Sequence, residues 1–405
     1  MPTGPTIAHV SELNRRDFVA SASAAIIGGA AAFAASPAAA QTRLSSGGVP
    51  ARAMASPAAG RPLALVDLNR RQPGARDVLI DILYAGVCHT DWHQLTGEWP
   101  GGAFPMVPGH EIVGRVAAIG SQVTKYRKGD LVGVGNYTDS CRQCAPCQAG
   151  REIYCENGVS WTYNGKERTP GSLTPNGAPT FGGYSTEITV DERYVLRVPA
   201  SIALRGAAPL LCAGITTYSP LMARKVGPGH RVGIVGFGGL GHVGTQIAKA
   251  MGAHVTVFTT TPAKATDARR LGADAVVVST DEAAMKEAAA SVDTLLDTIP
   301  ESHDLAPYIA LTRLDGHLWI LGAVGPAPMP QGIVGGQLGS KGRAIASSYC
   351  GGIPETQEML DFCGKHRISA VAELIPPTRV NETRERIKNK QVRYRYVLDM
   401  ASVRA

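Results

Sequence analysis

Four cysteines crowd one short stretch, Cys141-x2-Cys144-x2-Cys147-x7-Cys155, in the setting DSCRQCAPCQAGREIYC. Thiols so close in sequence can converge on one centre. Tetrahedral Zn²⁺ takes four soft ligands at about 2.3 Å, and a structural zinc site closes with no open position. Cys88 and His110 lie upstream of the quartet and Cys212 lies downstream. Those three could hold a second ion and leave its fourth position open, which is the catalytic arrangement. A disulfide framework is the competing reading of the quartet. Cys350 and Cys363, the last of the eight cysteines, read as core thiols.

A second constellation is Gly236-Phe237-Gly238-Gly239-Leu240-Gly241. It follows the apolar run Arg231–Val235 and precedes a helical segment, the context in which G-x-G-x-x-G binds a dinucleotide. The first glycine makes the tight turn, the second admits the pyrophosphate to the backbone, and the third lets helix pack on strand. Free N–H groups at the helix start then face the phosphates. An NAD enzyme usually carries Asp or Glu about twenty residues further on, for the ribose 2′-hydroxyl. Here the position holds Thr259-Thr260-Thr261, with Lys264 following. Hydroxyls and an ammonium suit a 2′-phosphate, so NADP(H) is the expected cofactor. The alternative is a polar turn that caps the next helix with no cofactor preference.

The elements that must position these residues divide the chain. From Asp77 to Val198 the texture is of short strands separated by turns: Asp77–Tyr84, Ile112–Ile119 and Leu131–Val134 are Val/Ile-rich or alternating. Beyond Pro209 strands alternate with helices: Arg231–Val235, the helix Gly241–Met251, Val255–Phe258, the helix Ala263–Leu271, Ala275–Val278, Thr294–Asp297 and His317–Leu321. That alternation implies a doubly wound parallel sheet. After Ser347 the β-rich character returns around a helix at Glu355–Lys365. The expected fold is α/β, with residues 60–212 and 348–405 as a β-rich domain and 213–347 as a Rossmann domain. Residues 41–59, rich in Gly, Pro and small side chains, read as a flexible lead-in.

Residues 1–40 read as a twin-arginine export signal. Asn14-Arg15-Arg16-Asp17-Phe18-Val19 precedes the mildly apolar Ala20–Ala35, and Ala38-Ala39-Ala40 before Gln41 fits a small-residue cleavage site. The apolar stretch is too short and weak to span a bilayer, and no later segment could, so the mature chain is expected off the membrane. The expected partner is the Tat export machinery and the expected location the periplasm or beyond, with the cytoplasm as the alternative. An oxidising compartment favours disulfides. Yet about 365 residues remain after cleavage, enough for two domains with a sizeable core that needs no staples. The Tat route carries folded proteins, so zinc can occupy the thiolates before export. The net charge of +7 is scattered apart from Arg384–Lys390, which reads as a solvated helix face. Low aromatic content and no stacking motif argue against nucleic acid.

Taken together, GVCHTDWH, PMVPGHEIVG, the DSCRQCAPC…YC stretch, FGGYSTE, PLLCAGITTYSPL, VGIVGFGGLGHVG and PETQEMLDFC resemble the zinc-dependent medium-chain alcohol dehydrogenases. The likeness is greatest to the cinnamyl-alcohol-dehydrogenase-type group, which includes bacterial NADPH-dependent aldehyde reductases. It runs in order from about residue 60 to the C-terminus. The resemblance implies a GroES-like catalytic domain beside the Rossmann domain, two Zn²⁺ per chain, and the homodimer typical of the family as a possible assembly. It implies that Cys88, His110 and Cys212 hold the catalytic zinc, with Glu111 near the metal and able to exchange with its bound water. Cys141, Cys144, Cys147 and Cys155 would hold the structural zinc. Asp91 would orient His110. Thr90 would take the substrate oxygen's proton and pass it through the cofactor ribose to His93; Trp92 and Trp99 would lie near the substrate. Gly236, Gly238, Gly239, Leu240, Gly241, Thr259, Thr260 and Lys264 would bind NADP(H). The implied activity interconverts primary alcohols and aldehydes, aromatic or of medium chain length. Plainer readings stand beside these: Thr90 and Asp91 as helix caps, His93 as a surface histidine, Cys212 as a core thiol. An NAD-linked polyol or secondary-alcohol dehydrogenase, and a non-catalytic exported zinc- or redox-binding relative, are the rival functions.

Overall fold

The computed structural model describes Leu44 and residues 48–322 and 331–404. The expected export signal, residues 1–40, lies outside the described residues. The Asp77–Val87 strand organises the first of two large sheets. Its even-numbered residues Val78, Ile80 and Ile82 are fully buried, the period of two expected of a sheet with one covered face. One edge pairs with Ile112–Ile119. The other is shared: its first half pairs with Glu187–Asp191 and its second half with Arg395–Asp399, all antiparallel. The full sheet has seven strands and draws on residues separated by most of the chain. The C-terminal strand therefore lies beside the strand that leads into Cys88.

The second sheet has six parallel strands in the order Ala275–Val278, His254–Thr259, Arg231–Val235, Val292–Asp297, Thr312–Ile320, Ala344–Ser347. This is the doubly wound order, and its direction reverses between Arg231–Val235 and Val292–Asp297. Ligands bind in the crevice at the carboxyl ends of such strands. The expected strands are all present, several longer than the sequence suggested. Ala344–Ser347 and the helices Ala213–Ala223 and Ala306–Leu311 were not anticipated. One hydrophobic core runs from the antiparallel sheet (Ile80, Ile112, Val132) through to the near face of the parallel sheet (Val232, Ile234) and the helix Gly241–Ala250 (Val243, Ile247). A smaller core of Phe258, Leu295, Ile309 and Leu318 covers the far face. Residues 41–405 accordingly form one compact unit.

The lead-in reading is corrected for residues 48–59, the continuous described part of 41–59. Val49–Ala55 is a strand paired along its whole length with Ala64–Arg70, and Ala53 and Met54 are buried. Small side chains misled the reading: alanines here fit a tightly covered strand, while glycine turns flank it, Gly48 before it at φ 103° and Gly60 in the connection after it at φ 73°. Among the described residues no helix is long and apolar enough to cross a membrane.

Ile80, buried where three strands meet, tests this arrangement. Ile80→Ala is expected to cost about 2–5 kcal/mol, read as a lowered midpoint in denaturant unfolding.

Candidate functional site

The Asp77–Val87 strand delivers Cys88 to the N-terminus of the helix His89–Thr96. Asp91, in that helix's first turn, folds its carboxylate back. It accepts hydrogen bonds from the Cys88 N–H (2.9 Å), the Gly109 N–H (3.1 Å) and the Tyr184 hydroxyl (3.0 Å). The capping role and the orienting role are thus one. Asp91 Oδ1 also lies 3.3 Å from His110 Nδ1, with both side chains buried. A carboxylate can only accept, so Asp91 favours a proton on Nδ1, and against burial it raises the pKa of the ring; with zinc bound, Nε2 would turn its lone pair to the metal. That Nε2 is buried with no hydrogen-bond partner.

Cys88, His110, Glu111 and Cys212 place their ligand atoms within 4.8 Å of one another. Hydrogen bonding with Cys212 draws the Cys88 thiol well below its usual range against the effect of burial, and His110 adds to the shift. An orphaned imidazole nitrogen, two converging thiols and a positioned carboxylate fit a zinc ion. Glu111 sits under this cluster: Arg395 donates to one carboxylate oxygen, and the other is buried without a partner. Burial pushes the Glu111 carboxyl up to about 7, against the pull of Arg395. Gly86 must be glycine here, because any Cβ would overlap the Glu111 carboxylate.

Cys141, Cys144, Cys147 and Cys155 form the second cluster, also within 4.8 Å. All eight cysteines are unpaired. The Cys144 N–H points to Cys141 Sγ (3.4 Å) and the Cys141 N–H to Cys155 Sγ (3.3 Å). Burial opposes ionisation of Cys141, but the backbone N–H groups of Gln143 and Cys144 outweigh it and bring the thiol to about 6. Burial instead pushes Cys147 up to about 12 and raises Cys155; it is the convergence of the four sulfurs that suits a closed four-sulfur zinc site.

A cavity of about 570 Å³ opens above the first cluster. Cys88, Thr90, His93, His110 and Cys212 line one end; Gly236, Gly238, Gly239, Leu240, Thr259, Thr260 and Lys264 line the other. Thr90 Oγ1 is 3.6 Å from Cys88 Sγ. His93 Nδ1 is 2.6 Å from Glu98 Oε2, and its ring stacks on Trp99. Gly236 takes φ 85°, a Cβ on Gly238 would meet only open space, and one on Gly241 would strike the Gly236 carbonyl at 1.9 Å. The tight turn at Gly236, the open space at Gly238 and the close approach at Gly241 match the backbone geometry expected of the fingerprint, with Gly241 inside the turn rather than on the cavity wall. Asp91 and Glu111 likewise lie behind the wall. Trp99 lines the cavity, whereas Trp92 does not; its indole sits on the packed side of the helix.

Several residues carry no sequence signal for the site. Arg395 reaches Glu111 across 284 positions and approaches Gly239. His242 is buried, facing the Gly238 carbonyl through Nδ1 (2.9 Å) and accepting from the Val371 N–H through Nε2 (3.1 Å). Burial holds its pKa down to about 3, so it stays neutral. It thereby joins the glycine loop to the C-terminal part of the first domain. Asn136, Trp161, Tyr163 and Tyr349 complete the substrate end of the cavity. His303 backs the wall segment Thr298–Glu301: Nδ1 meets the Glu301 carbonyl (2.9 Å) and Nε2 the buried Asp297 carboxylate (3.1 Å). Both neighbours are acceptors, and Asp297, followed by the Glu301 carbonyl, raises the pKa of the ring against its partial burial.

Comparison with known proteins agrees with this geometry. The alcohol dehydrogenase GroES-like domain family matches residues 74–200, and the zinc-binding dehydrogenase family matches residues 239–365. The chain is 47% identical over 354 residues to NADP-dependent alcohol dehydrogenase C 1 of Mycolicibacterium smegmatis, covering 87% of this chain and 99% of that protein. It is 49% identical over 350 residues to the aldehyde reductase YahK of Escherichia coli, covering 86% and 97%. Among solved structures, a cinnamyl alcohol dehydrogenase of Sorghum bicolor superposes with TM-score 0.82 at 41% identity, covering 88% of this chain and 99% of that one. The Helicobacter pylori enzyme complexed with NADP(H) gives 0.80 at 39%, covering 87% and 99%.

The His303–Asp297 pair makes a pH test. A histidine with a raised folded pKa contributes fully below its unfolded value, about 6.5, and loses that contribution as pH rises through the folded value. His303→Asn is expected to lower stability by about 1 kcal/mol at pH 6, with the deficit shrinking toward pH 9 in paired thermal melts.

Proposed function

We propose that this chain, which belongs to the zinc-binding, GroES-like alcohol dehydrogenase family, interconverts aldehydes and primary alcohols with NADP(H) at a zinc held by Cys88, His110 and Cys212. The observation that carries this reading is the single cavity with the unpartnered His110 Nε2 and two thiols at one end and the dinucleotide loop at the other. Bound zinc supplies Lewis acidity at the carbonyl oxygen, and bound NADPH supplies the hydride.

The chain's own residues do the rest. Asp91 holds the His110 tautomer and raises its basicity. Arg395 neutralises Glu111 so that a second buried carboxylate can sit beside the thiolates without repelling them. Thr90, on the wall beside Cys88, is placed to exchange the proton of the substrate oxygen. His93 lies on the same wall, and with Nδ1 engaged by Glu98 it has Nε2 left for proton exchange with solvent. Trp99, Trp161, Tyr163 and Tyr349 line the substrate end with aromatic rings, which suits aromatic or medium-chain aldehydes. The quartet, with all four sulfurs facing inward, has no position for substrate and serves as a structural zinc site. Thr259–Thr261 and Lys264 present hydroxyls and an ammonium where an NAD enzyme would place a carboxylate.

Purified protein is expected to carry two zinc ions per chain and to reduce aromatic aldehydes with NADPH at a kcat/KM well above that with NADH. Cys88→Ala is expected to remove one zinc and abolish turnover. Thr90→Val should keep both and lower kcat about 10²- to 10⁴-fold. Preference for NADH with polyols, or binding without turnover, would favour one of the rival functions.

We infer further that residues 1–40 direct folded, zinc-loaded enzyme through the Tat route; the support is the Arg15-Arg16 pair, the apolar Ala20–Ala35 and the small residues before Gln41. Replacing Arg15 and Arg16 by lysine is expected to leave full-length precursor in the cytoplasmic fraction. An unchanged distribution between fractions would contradict export by this signal.

A further inference from the structure

The basic run near the C-terminus is not wholly a solvated face. Arg386 does lie outward, pairing with Glu373 at 3.5 Å and covering the Tyr396 ring. Lys388 and Lys390, however, line the same cavity as Thr259–Thr261 and Lys264. The segment that carries them is fixed in place. The Tyr394 hydroxyl donates to Asp267 Oδ2 (2.7 Å) and Arg393 reaches the same oxygen (3.0 Å), tying the C-terminal segment to the helix Ala265–Arg270 just beyond the three threonines. The His242 ring stacks on Tyr394, and the Phe237 ring meets it edge-on.

Charge around this end of the cavity is one-sided. Lys264 is buried, donates to the Phe237 carbonyl at 3.0 Å and lies over the Tyr394 ring. Its pKa is lowered first by burial and then by the nearby charges of Arg393 and Lys390. Asp267 is already engaged by Arg393, Arg270 and Tyr394. Among the described residues, neither Lys388 nor Lys390 has a carboxylate within ion-pair distance, and both are exposed. Lys264 has spent one of its three donors on the backbone, so a dianion resting on it alone would be undercompensated.

We propose that Lys388 and Lys390 form the outer half of an anion site whose inner half is Thr259–Thr261 and Lys264, and that its ligand is the 2′-phosphate of NADP(H). This rests on the NADP(H) reading above. The two halves come from different parts of the fold, and the Tyr394 and Arg393 contacts to Asp267 hold them together, so the phosphate would meet both without rearrangement of the C-terminal segment. Selectivity between the two nicotinamide cofactors is then set partly by residues more than 120 positions from the fingerprint.

The test uses the zinc-loaded full chain and two fragments, 2′,5′-ADP and 5′-AMP, with dissociation constants from titration calorimetry. The wild type is expected to bind 2′,5′-ADP the more tightly. Lys390→Ala and Lys388→Ala should each weaken 2′,5′-ADP about three- to tenfold, as charge-assisted contacts do, and leave 5′-AMP unchanged. Lys390→Arg should restore most of the loss, and the differences should fade as salt rises. Unchanged 2′,5′-ADP binding in the double alanine variant, or equal weakening of both fragments, would overturn the proposal while leaving the cofactor reading intact. If the wild type does not distinguish the fragments, the NADP(H) reading itself fails and this proposal falls with it.

Discussion

Asp91 is a carboxylate buried where a charge is costly, and the surroundings meet that cost with three hydrogen-bond donors and an imidazole. Each donor comes from a different piece of chain: the end of the Asp77–Val87 strand, the loop before Ile112, and the residues leading into Glu187–Asp191. One side chain thereby fixes where Cys88 and His110 stand relative to one another. It also decides which imidazole nitrogen faces the thiols. Loss of that carboxylate would free both ligands at once, which is why the helix cap and the metal-facing geometry cannot be separated here.

The rest of the cleft is built by pairing across the two sheets. Glu111 beneath the cluster would be an uncompensated buried acid without Arg395, and Arg395 comes from the strand beside Val87. The same C-terminal segment supplies Tyr394 and the lysines near Lys264, and it meets the glycine loop through His242. A continuous core joins the antiparallel sheet to the near face of the parallel sheet. The cavity is therefore a seam between two sheets that share packing, with the thiol cluster on one lip and the dinucleotide loop on the other.

What the sequence revealed of this site was local. Cys88, Thr90, Asp91 and His93 fall within one helical turn or two, the quartet within one loop, and the fingerprint within six residues; spacing alone carries such patterns. Sheet membership was legible from alternation and Val/Ile content, and the order of helices and strands gave the parallel sheet. Arg395, His242 and Tyr394 were not legible, because each acts on a residue more than a hundred positions away and looks locally like an ordinary strand or helix residue. The strand Val49–Ala55 was masked by alanines, whose small size signals a loop in one context and close packing in another. Trp92 and Trp99 were expected together near the substrate, but the helix turns Trp92 to its packed side. The lysines after Arg386 read as one helix face, yet the chain leaves the helix at Lys388 and turns toward the cavity.

The central claim is that two thiol clusters of different completeness hold two metal ions. Zinc K-edge X-ray absorption of the protein as purified measures this directly. One site with four sulfurs and one with two sulfurs and a histidine would average to about three sulfurs per zinc at about 2.3 Å, with a histidine contribution. A first shell of nitrogen and oxygen alone, or a single zinc with the Cys141–Cys155 thiols oxidised to disulfides, would contradict it.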